Sequence, residues 1–379
     1  MTKPRLIISN YDDLKNPYYA GGGAVAVHEV ARRLTDTFSV TVLTAAFPGS
    51  SDQVIDGVLY QRLGPQSAGP FLGQLLFRLL LPLRALRADF DVWLETFGPP
   101  FTSSFLPLFT KKPVIGLVHM LPALDMQRKY RVPFLPRLVE TLALRTYSRF
   151  ISLSESSRSE ILRFHPGAGV TVIPNGVNLP ARLPHLSPQH LLFLGRLEVN
   201  QKGLDLLLYA YRLLLAHNPP PLVIAGSGST RDTQILRRLV VRLGLQDQVV
   251  FPGRVEGIIR DRLYRQALFV IQPSRFETFS LVSLEALAYG KPLVCFDIPG
   301  LKWLPGFCAR KAASLTPQAL YQAMADCLTS TDTRHRLTSH SRAFAHGFNW
   351  NVIATRYHAV ISQTFADTLI WSTSLNPSL

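Results

Sequence analysis

The chain has 379 residues, of which 47% are hydrophobic and 17% charged, and it carries a formal net charge of +15 at pH 7. This length favours two domains over one, and the basic excess suggests an anionic partner: a phosphorylated ligand, an acidic membrane surface or nucleic acid. Three cysteines without a CxxC pair argue against a thiolate zinc site, and no segment is apolar enough to be a signal peptide or a membrane-spanning helix, so we expect a cytoplasmic protein.

The first predicted elements are an apolar strand over residues 5–10, a glycine-rich loop, a helix and a β-branched strand over residues 39–45. This succession is typical of a βαβ unit in a parallel sheet. Further strands are predicted over residues 91–95, 113–119, 149–154 and 169–176. The first half of the chain is therefore expected to be a doubly wound α/β domain.

Two basic segments interrupt this alternation. Residues 71–87 are rich in leucine, hold three arginines and no acid, and contain Pro82, which predicts a kinked helix. Residues 126–137 add four more basic residues without an acid. Both fit docking on an anionic membrane at the inner face, while the alternative is a buried helix beside a solvated basic loop.

A proline-rich polar segment over residues 179–190 is the best linker candidate. After it, strands and helices alternate again. We therefore expect two Rossmann-like α/β domains facing each other across a cleft. The expected boundaries are 1–178 for the acceptor-side domain, 191–345 for the nucleotide-sugar domain, and 346–379 for a helical segment packing toward the first domain.

The segment "RFETFSLVSLEALAYGKPLV" over residues 275–294 places one acid on each side of a predicted helix start. Glu277 precedes the helix, which is predicted over residues 281–289, and Glu285 is the one charge on it. The N–H groups at a helix start attract phosphate, and a carboxylate accepts two hydroxyls of a diol. A nucleotide sugar would satisfy both acids. In the alternative reading, Glu277 is a helix cap and Glu285 is solvated.

A second loop supplies cations. In "FLGRLEVNQKGLDLLL", Arg196 and Lys202 follow a predicted strand and suit a diphosphate, although each alone is more often a surface residue. The glycine loops "VIAGSGS", with Gly226, and "FPGRV", with Arg254, are weaker signals.

Together these segments resemble the large retaining glycosyltransferase family with the GT-B fold, family 4 (glycosyl transferases group 1 type). The resemblance covers nearly the whole chain and rests above all on the E-x7-E signature formed by Glu277 and Glu285. One departure follows the next strand. The family has a glycine-rich turn and then an acid there, whereas this chain reads "FDIPGLKWLP", with Gly300 present but no acid after it.

The resemblance implies a role for each matching residue. Arg196 and Lys202 would neutralise the diphosphate, Glu277 would bind hydroxyls of the donor sugar, and Glu285 would hold the ribose diol. His119 matches the family's histidine near the donor sugar, although a lone histidine after a strand is more often structural. The other implied donor-binding residues are Gly22, Gly23, Gly226, Arg254, Thr278, Phe279, Ser280 and Leu281.

The implied reaction moves a hexose from a nucleotide-diphosphate sugar to an acceptor hydroxyl with retention of configuration. Because the sequence shows no cluster with metal-ligand spacing, we expect no metal and no cofactor beyond the donor. The expected acceptor is a glycan that is lipid-linked or presented at a membrane. Nucleic acid is not expected, since no aromatic stacking motif accompanies the basic residues. The alternatives are a GT-B epimerase or hydrolase and a non-catalytic nucleotide-sugar-binding protein.

Overall fold

The computed structural model describes residues 2–18, 21–98, 102–121, 135–180 and 186–374. The chain forms two compact units. Unit 1 comprises Met1–Asn175 and Trp350–Leu379, and unit 2 comprises Gly176–Asn349. Each unit has its own sheet. The C-terminal segment thus belongs to unit 1 from Trp350 onward.

Over the described residues, the sheet of unit 1 has eight strands. They are β1 (Arg5–Ser9), β2 (Ser39–Ala45), β3 (Gln53–Ile55), β4 (Val58–Leu63), β5 (Val92–Phe97), β6 (Val114–Val118), β7 (Arg149–Ser152) and β8 (Gly169–Val172). Their order is β3-β4-β2-β1-β5-β6-β7-β8, and all neighbours are parallel except β3 and β4. Every residue of β5 is buried, as is typical of a central strand covered on both faces.

The β3–β4 hairpin at the edge of this sheet was not predicted. Its two-residue turn is Asp56-Gly57, with φ of 48° and 77°. Two positive φ values in succession match the twist of a hairpin, and Asp-Gly is a preferred pair for such a turn. The sequence signal was therefore present between the apolar residues Ile55 and Val58.

Four helices of unit 1 are α1 (Gly22–Leu34), α2 (Gly69–Arg87), α3 (Leu135–Thr146) and α4 (Glu155–Phe164). The glycine-rich stretch predicted as a loop is in part helical, because Gly22 and Gly23 form the first turn of α1. The N–H of Gly21, just before the helix, donates to Asp12 Oδ2 at 2.7 Å. This contact ties the helix start to the loop that follows β1.

Helix α2 corrects one part of the membrane prediction. Pro82 lies inside a helix that continues through it. Arg78, one of the three arginines of the segment expected to dock on a membrane, is buried and donates to Glu95 Oε1 at 3.1 Å, because a buried carboxylate needs a partner. Arg84 is half-buried and donates to Gln61 at 2.8 Å.

The outer face of α2 is apolar. Five large apolar side chains on it are exposed: Phe71, Leu72, Leu79, Leu83 and Leu86. Of the second basic segment, residues 126–134 lie outside the described residues, so only its last three residues are described.

In the part of unit 2 that the structure describes, the sheet has six parallel strands. They are β9 (His190–Leu194), β10 (Leu222–Ala225), β11 (Val249–Gly253), β12 (Ala267–Gln272), β13 (Leu293–Phe296) and β14 (Ala309–Ala312), in the order β11-β10-β9-β12-β13-β14. The helices are α5 (Leu204–Leu214), α6 (Thr230–Arg242), α7 (Gly257–Gln266), α8 (Leu281–Ala288), α9 (Pro317–Thr329), α10 (Thr331–Ser339) and α11 (Ser341–His346). The predicted fold class, two parallel α/β sheets with helices, is confirmed.

The last helix, α12 (Trp350–Ser374), returns the chain to unit 1, where it packs against α1. Arg149, the first residue of β7, donates to the carboxylate of Asp367 and also to Thr364 Oγ1 at 3.0 Å. Within the described ranges, no helix combines the length and the hydropathy that crossing a bilayer requires.

Candidate active site

The central strands of unit 2 create a topological switch point. The chain proceeds from β9 to β10 and β11 on one side and then crosses to β12 on the other side of β9. Ligands of such sheets bind outside the carboxyl ends of the strands at this point. The two loops that follow β9 and β12 meet there, where the N–H of Arg275 donates to the carbonyl of Gln201 at 2.9 Å.

These loops bring Lys202 and Glu277 together. Lys202 Nζ lies 2.5 Å from Glu277 Oε1, and the two side chains are only 15% and 8% exposed. Gln272 Nε2 and Ser274 Oγ donate to the same oxygen at 2.7 and 2.8 Å. Three donors thus hold Oε1, whereas no residue in the described ranges donates to Oε2.

Two glycines make this arrangement possible. Gly203, next to Lys202, has φ of 63°, and a Cβ there would lie 2.0 Å from the carbonyl oxygen of Pro273. A Cβ on Gly300 would lie 1.8 Å from the carbonyl oxygen of Glu277. Only glycine allows backbones to approach this closely. The segments that carry Lys202 and Gly300 are therefore packed directly against the backbone of the loop that carries Glu277.

Helix α8 begins immediately after this pair. Ser280 caps it by accepting from the N–H of Ser283 at 3.1 Å. Among the described residues, nothing accepts from the N–H groups of Ser280 and Leu281, so these donors remain available to an anion at the positive end of the helix. Phe279 is buried, and Thr278 beside it is half-buried.

Glu285 lies one turn into α8, and its side chain is 17% exposed, so the solvated alternative is wrong. Its Oε1 accepts from Arg260 Nη2, and its Oε2 accepts from Tyr264 OH at 2.6 Å. Burial lowers the pKa of Arg260, but Glu285, Tyr264 and Tyr289 together outweigh burial and raise the pKa above its usual value. Burial, together with the charge of Glu285, raises the pKa of Tyr264.

The remaining predicted residues of unit 2 follow neighbouring strands. Arg196, after β9, lies 3.7 Å from Glu198, and 56% of its side chain is open to solvent. Gly226 follows β10, where a Cβ would lie 1.8 Å from the carbonyl oxygen of Gly195. Arg254 follows β11, is 49% exposed and pairs with Glu256 at 2.6 Å.

The predicted residues of unit 1 lie near one another. A Cβ on Gly23, in the first turn of α1, would be 4.0 Å from His119 Cδ2, and Gly22 precedes it. Burial lowers the pKa of His119 to about 4, so its imidazole is neutral at pH 7. Its Nε2 is buried without a partner among the described residues, and the ring lines a small apolar cavity with Val27 and Tyr357.

Sequence reasoning missed Gln272, Ser274, Arg260 and Tyr264, which hold the two acids. Gln272 carries a weak signal, because it is a polar residue at the end of the buried strand "ALFVIQ". Ser274 follows two residues later. Arg260 and Tyr264 carry none, because they lie on a polar helix whose contact with α8 is visible only in the fold.

The turn that lacks the family's acid is filled by an aromatic side chain. Trp303 stacks on Phe279 with a centroid distance of 4.5 Å and an interplanar angle of 16°. Phe344 stacks on Trp303 in turn, at 6.4 Å. The indole Nε1 is buried and has no partner among the described residues. The start of α8 is therefore supported here by an aromatic stack.

Solved structures match this fold over almost the whole chain. A sucrose-phosphate synthase from Thermosynechococcus elongatus has a TM-score of 0.81 at 21% identity, covering 96% of this chain and 100% of that one. Anabaena HepE in complex with UDP and glucose has a TM-score of 0.74 at 18% identity, covering 95% and 99%. The fold is that of the GT-B glycosyltransferases.

Two family models match as well, and they divide the chain between them. The model described as "Glycosyltransferase Family 4" matches residues 20–180, and the model described as "Glycosyl transferases group 1" matches residues 188–330. Together they span most of the chain. This chain belongs to the group 1 glycosyltransferases with the GT-B fold.

Curated relatives carry related names. An uncharacterized glycosyltransferase of Methanocaldococcus jannaschii is 43% identical over 29% of this chain and 28% of its own length. Glycogen synthase of Mycobacterium tuberculosis is 31% identical over 57% of this chain and 54% of its own length. This chain thus spans from 28% to 54% of the length of these two relatives. D-inositol 3-phosphate glycosyltransferase 2 of Catenulispora acidiphila is 29% identical over 92% of this chain and 91% of its own length.

Proposed function

We propose that this chain is a retaining glycosyltransferase that moves a hexose from a nucleotide-diphosphate sugar to an acceptor hydroxyl. The observation that carries the proposal is the Lys202–Glu277 pair, fixed at the switch point of unit 2 directly before the start of α8. A cation, an oriented carboxylate and free helix N–H groups in succession suit a phosphorylated sugar. The names of the relatives favour transfer over epimerisation.

The leaving diphosphate gains negative charge as its bond to the sugar breaks. In the proposal, Lys202, Arg196 and the N–H groups at the start of α8 stabilise this charge. Such preorganised donors are worth most where water is excluded, and Lys202 is 15% exposed. Arg196 is the more exposed of the two cations, which suits the outer end of a diphosphate. We propose that no metal ion is required, so that activity should survive chelation by EDTA.

Retention of configuration is part of the proposal. Glu277 is held through Oε1 by three donors, which suits binding of a sugar hydroxyl better than movement onto the anomeric carbon. We therefore favour attack on the face that the diphosphate leaves. The bond from the anomeric carbon to the phosphate oxygen breaks, the bond to the acceptor oxygen forms, and the acceptor proton passes to the phosphate oxygen. NMR of the fresh product should show the anomeric configuration of the donor.

The direct test is a panel of UDP-, GDP- and ADP-hexoses with nucleotide release as the readout. Glu277→Ala and Glu285→Ala should each reduce turnover by roughly tenfold to a hundredfold, as expected for one or two lost hydrogen bonds to a charged group. Asp247→Ala, an exposed acid elsewhere in unit 2, is the matched control. Wild-type turnover in both glutamate variants, with any active donor, would refute the assignment.

For the acceptor, we propose a glycan that is lipid-linked or presented at the inner face of a membrane, with α2 as the docking surface. Leu72, Leu79, Leu83 and Leu86 lie on one helix face and are 50–65% exposed. Arg87, Lys111 and Lys112 are exposed residues of the same unit and would supply the basic charge. Arg78 is paired with Glu95 inside unit 1 and is not available to a lipid headgroup. Insertion of the exposed leucines into the membrane should therefore contribute more to docking than charge does.

Liposome flotation tests the docking. The wild-type chain should float with vesicles that contain acidic lipids, and Leu79→Glu with Leu83→Glu should abolish flotation. Val241→Glu is the control, because Val241 is equally exposed, at 60%, on helix α6 of unit 2. Binding of the Leu79/Leu83 variant at the wild-type level would exclude α2 as the docking surface.

A further inference from the structure

Arg260 makes an ion pair that neither the motif nor the sequence pattern required. It lies on α7, four residues before Tyr264, so both side chains are on the helix face that contacts Glu285 of α8. Each of them donates to a different oxygen of that carboxylate. The carboxylate is therefore clamped evenly by one donor on each oxygen.

Tyr264 is itself locked in place. It is 1% exposed and stacks on Tyr289 with a centroid distance of 4.7 Å and an interplanar angle of 9°. Tyr289 OH donates to Asp261 Oδ1 at 2.8 Å, and Asp261 also pairs with Arg265 at 2.6 Å. The position of the phenol oxygen is thus set by the packing of α7 against α8.

Arg260 is different, because 39% of its side chain is exposed and its guanidinium contacts only this cluster among the described residues. A surface ion pair of this kind often contributes little to stability. Its geometry matters more. A carboxylate offers about four acceptor sites, and the clamp uses one on each oxygen, which leaves one on each for a ligand.

We propose that Arg260 is a positioning residue that orients Glu285 for a ribose diol and thereby sets the affinity for the donor nucleotide. This inference rests on the proposed function. Two vicinal hydroxyls need one acceptor on each oxygen, in one plane, and the even clamp presents that arrangement.

If Arg260 acts through the ribose diol, its replacement should affect only ligands that have the diol. If Arg260 contacts the base or the phosphates directly, its replacement should affect ligands with and without the diol equally. The probes are UDP and 2′,3′-dideoxy-UDP, with GDP or ADP and their dideoxy forms substituted if the wild type binds one of those more tightly. Calorimetric titration of the full chain gives the affinity of each. Wild-type chain should bind the diol form better than the dideoxy form.

Arg260→Leu should weaken UDP binding roughly tenfold to a hundredfold and dideoxy-UDP binding by less than about threefold. Arg260→Lys, which keeps the charge and can still donate to Glu285, should restore part of the lost UDP affinity. This variant also keeps the test valid if the leucine variant does not fold. The matched control is Arg262→Leu, an exposed arginine on the same helix, which should change neither affinity.

Two outcomes would overturn the inference while leaving the proposed function in place. Equal losses for UDP and dideoxy-UDP would mean that Arg260 contacts the base or the phosphates directly. No loss for either would mean that the ion pair has no part in binding. Failure of the wild-type chain to bind any nucleoside diphosphate would overturn the proposed function and this inference with it.

Discussion

Replacing Lys202 should lower both stability and activity, and its effect on stability, unlike its effect on activity, should be smaller when Glu277 is replaced as well. In Lys202→Met, the carboxylate of Glu277 keeps the two neutral donors Gln272 and Ser274 but loses its cation. Removing one partner of a fully buried ion pair costs about 3–5 kcal/mol. Because two donors remain and the pair is slightly exposed, we expect a loss of about 1–3 kcal/mol.

Glu277→Gln should cost less, because its amide oxygen can still accept from Lys202. The double variant, Lys202→Met with Glu277→Gln, has no unpaired charge at this site. It should therefore be destabilised by about 1–2 kcal/mol less than the sum of the two single losses. Turnover should stay at least about a hundredfold below wild type in the double variant, because no cation remains to stabilise the leaving diphosphate.

Thermal unfolding of the four proteins without ligand measures the stability cycle, and nucleotide release from the best donor measures turnover. The pair Lys311–Asp297 is the control cycle, since its atoms are 3.6 Å apart and Asp297 is 54% exposed. Its coupling should be below about 0.5 kcal/mol. Additive losses at Lys202 and Glu277 would show that the pair does not form in solution, and recovered turnover would show that the diphosphate does not need this cation.

Three further predictions follow from the same geometry. Arg196→Ala should weaken calorimetric binding of a nucleoside diphosphate but hardly that of the nucleoside, and equal losses would place Arg196 elsewhere. An NMR titration of His119 should have its midpoint near pH 4. In the unfolded chain the same histidine has a pKa near 6.5, so the free energy of unfolding is highest above pH 6.5 and falls as the pH is lowered toward 4. A titration midpoint of His119 near pH 6.5 in the folded protein would contradict its burial. Gly203→Ala should lower the melting temperature far more than Gly244→Ala, since both have φ near 64° but only the former clashes, with Pro273; equal shifts would contradict that contact.

Periodicity was enough to predict most of the elements. The strand predicted over residues 39–45 coincides with β2, and the helix predicted over residues 281–289 differs from α8 by one residue. These segments combine β-branched or apolar runs with clear glycine and proline boundaries, so the local signal and the fold agree. The hairpin of β3 and β4 was missed because its strands are short, although its Asp-Gly turn was readable.

The partners of the charged residues were not predictable, because they depend on contacts between distant elements. Arg78 belongs to a segment that was expected to dock on a membrane, yet its side chain pairs with Glu95, 17 residues away on β5. Arg260 and Glu285 are 25 residues apart on two different helices. A sequence pattern predicts which face of a helix is polar, but it does not predict which carboxylate that face meets.

The way in which each acid is held distinguishes the two roles that the resemblance assigned to them. Three donors converge on one oxygen of Glu277, which leaves the other oxygen for a ligand. Glu285 instead has one donor on each oxygen, which leaves one acceptor site on both. The first arrangement suits a single hydroxyl or two hydroxyls at one oxygen, and the second suits a pair of vicinal hydroxyls in the carboxylate plane. The donors around the two acids therefore favour the sugar at Glu277 and the ribose at Glu285. If the donors set these preferences, then giving each acid the donors of the other should exchange which part of the donor substrate each acid binds.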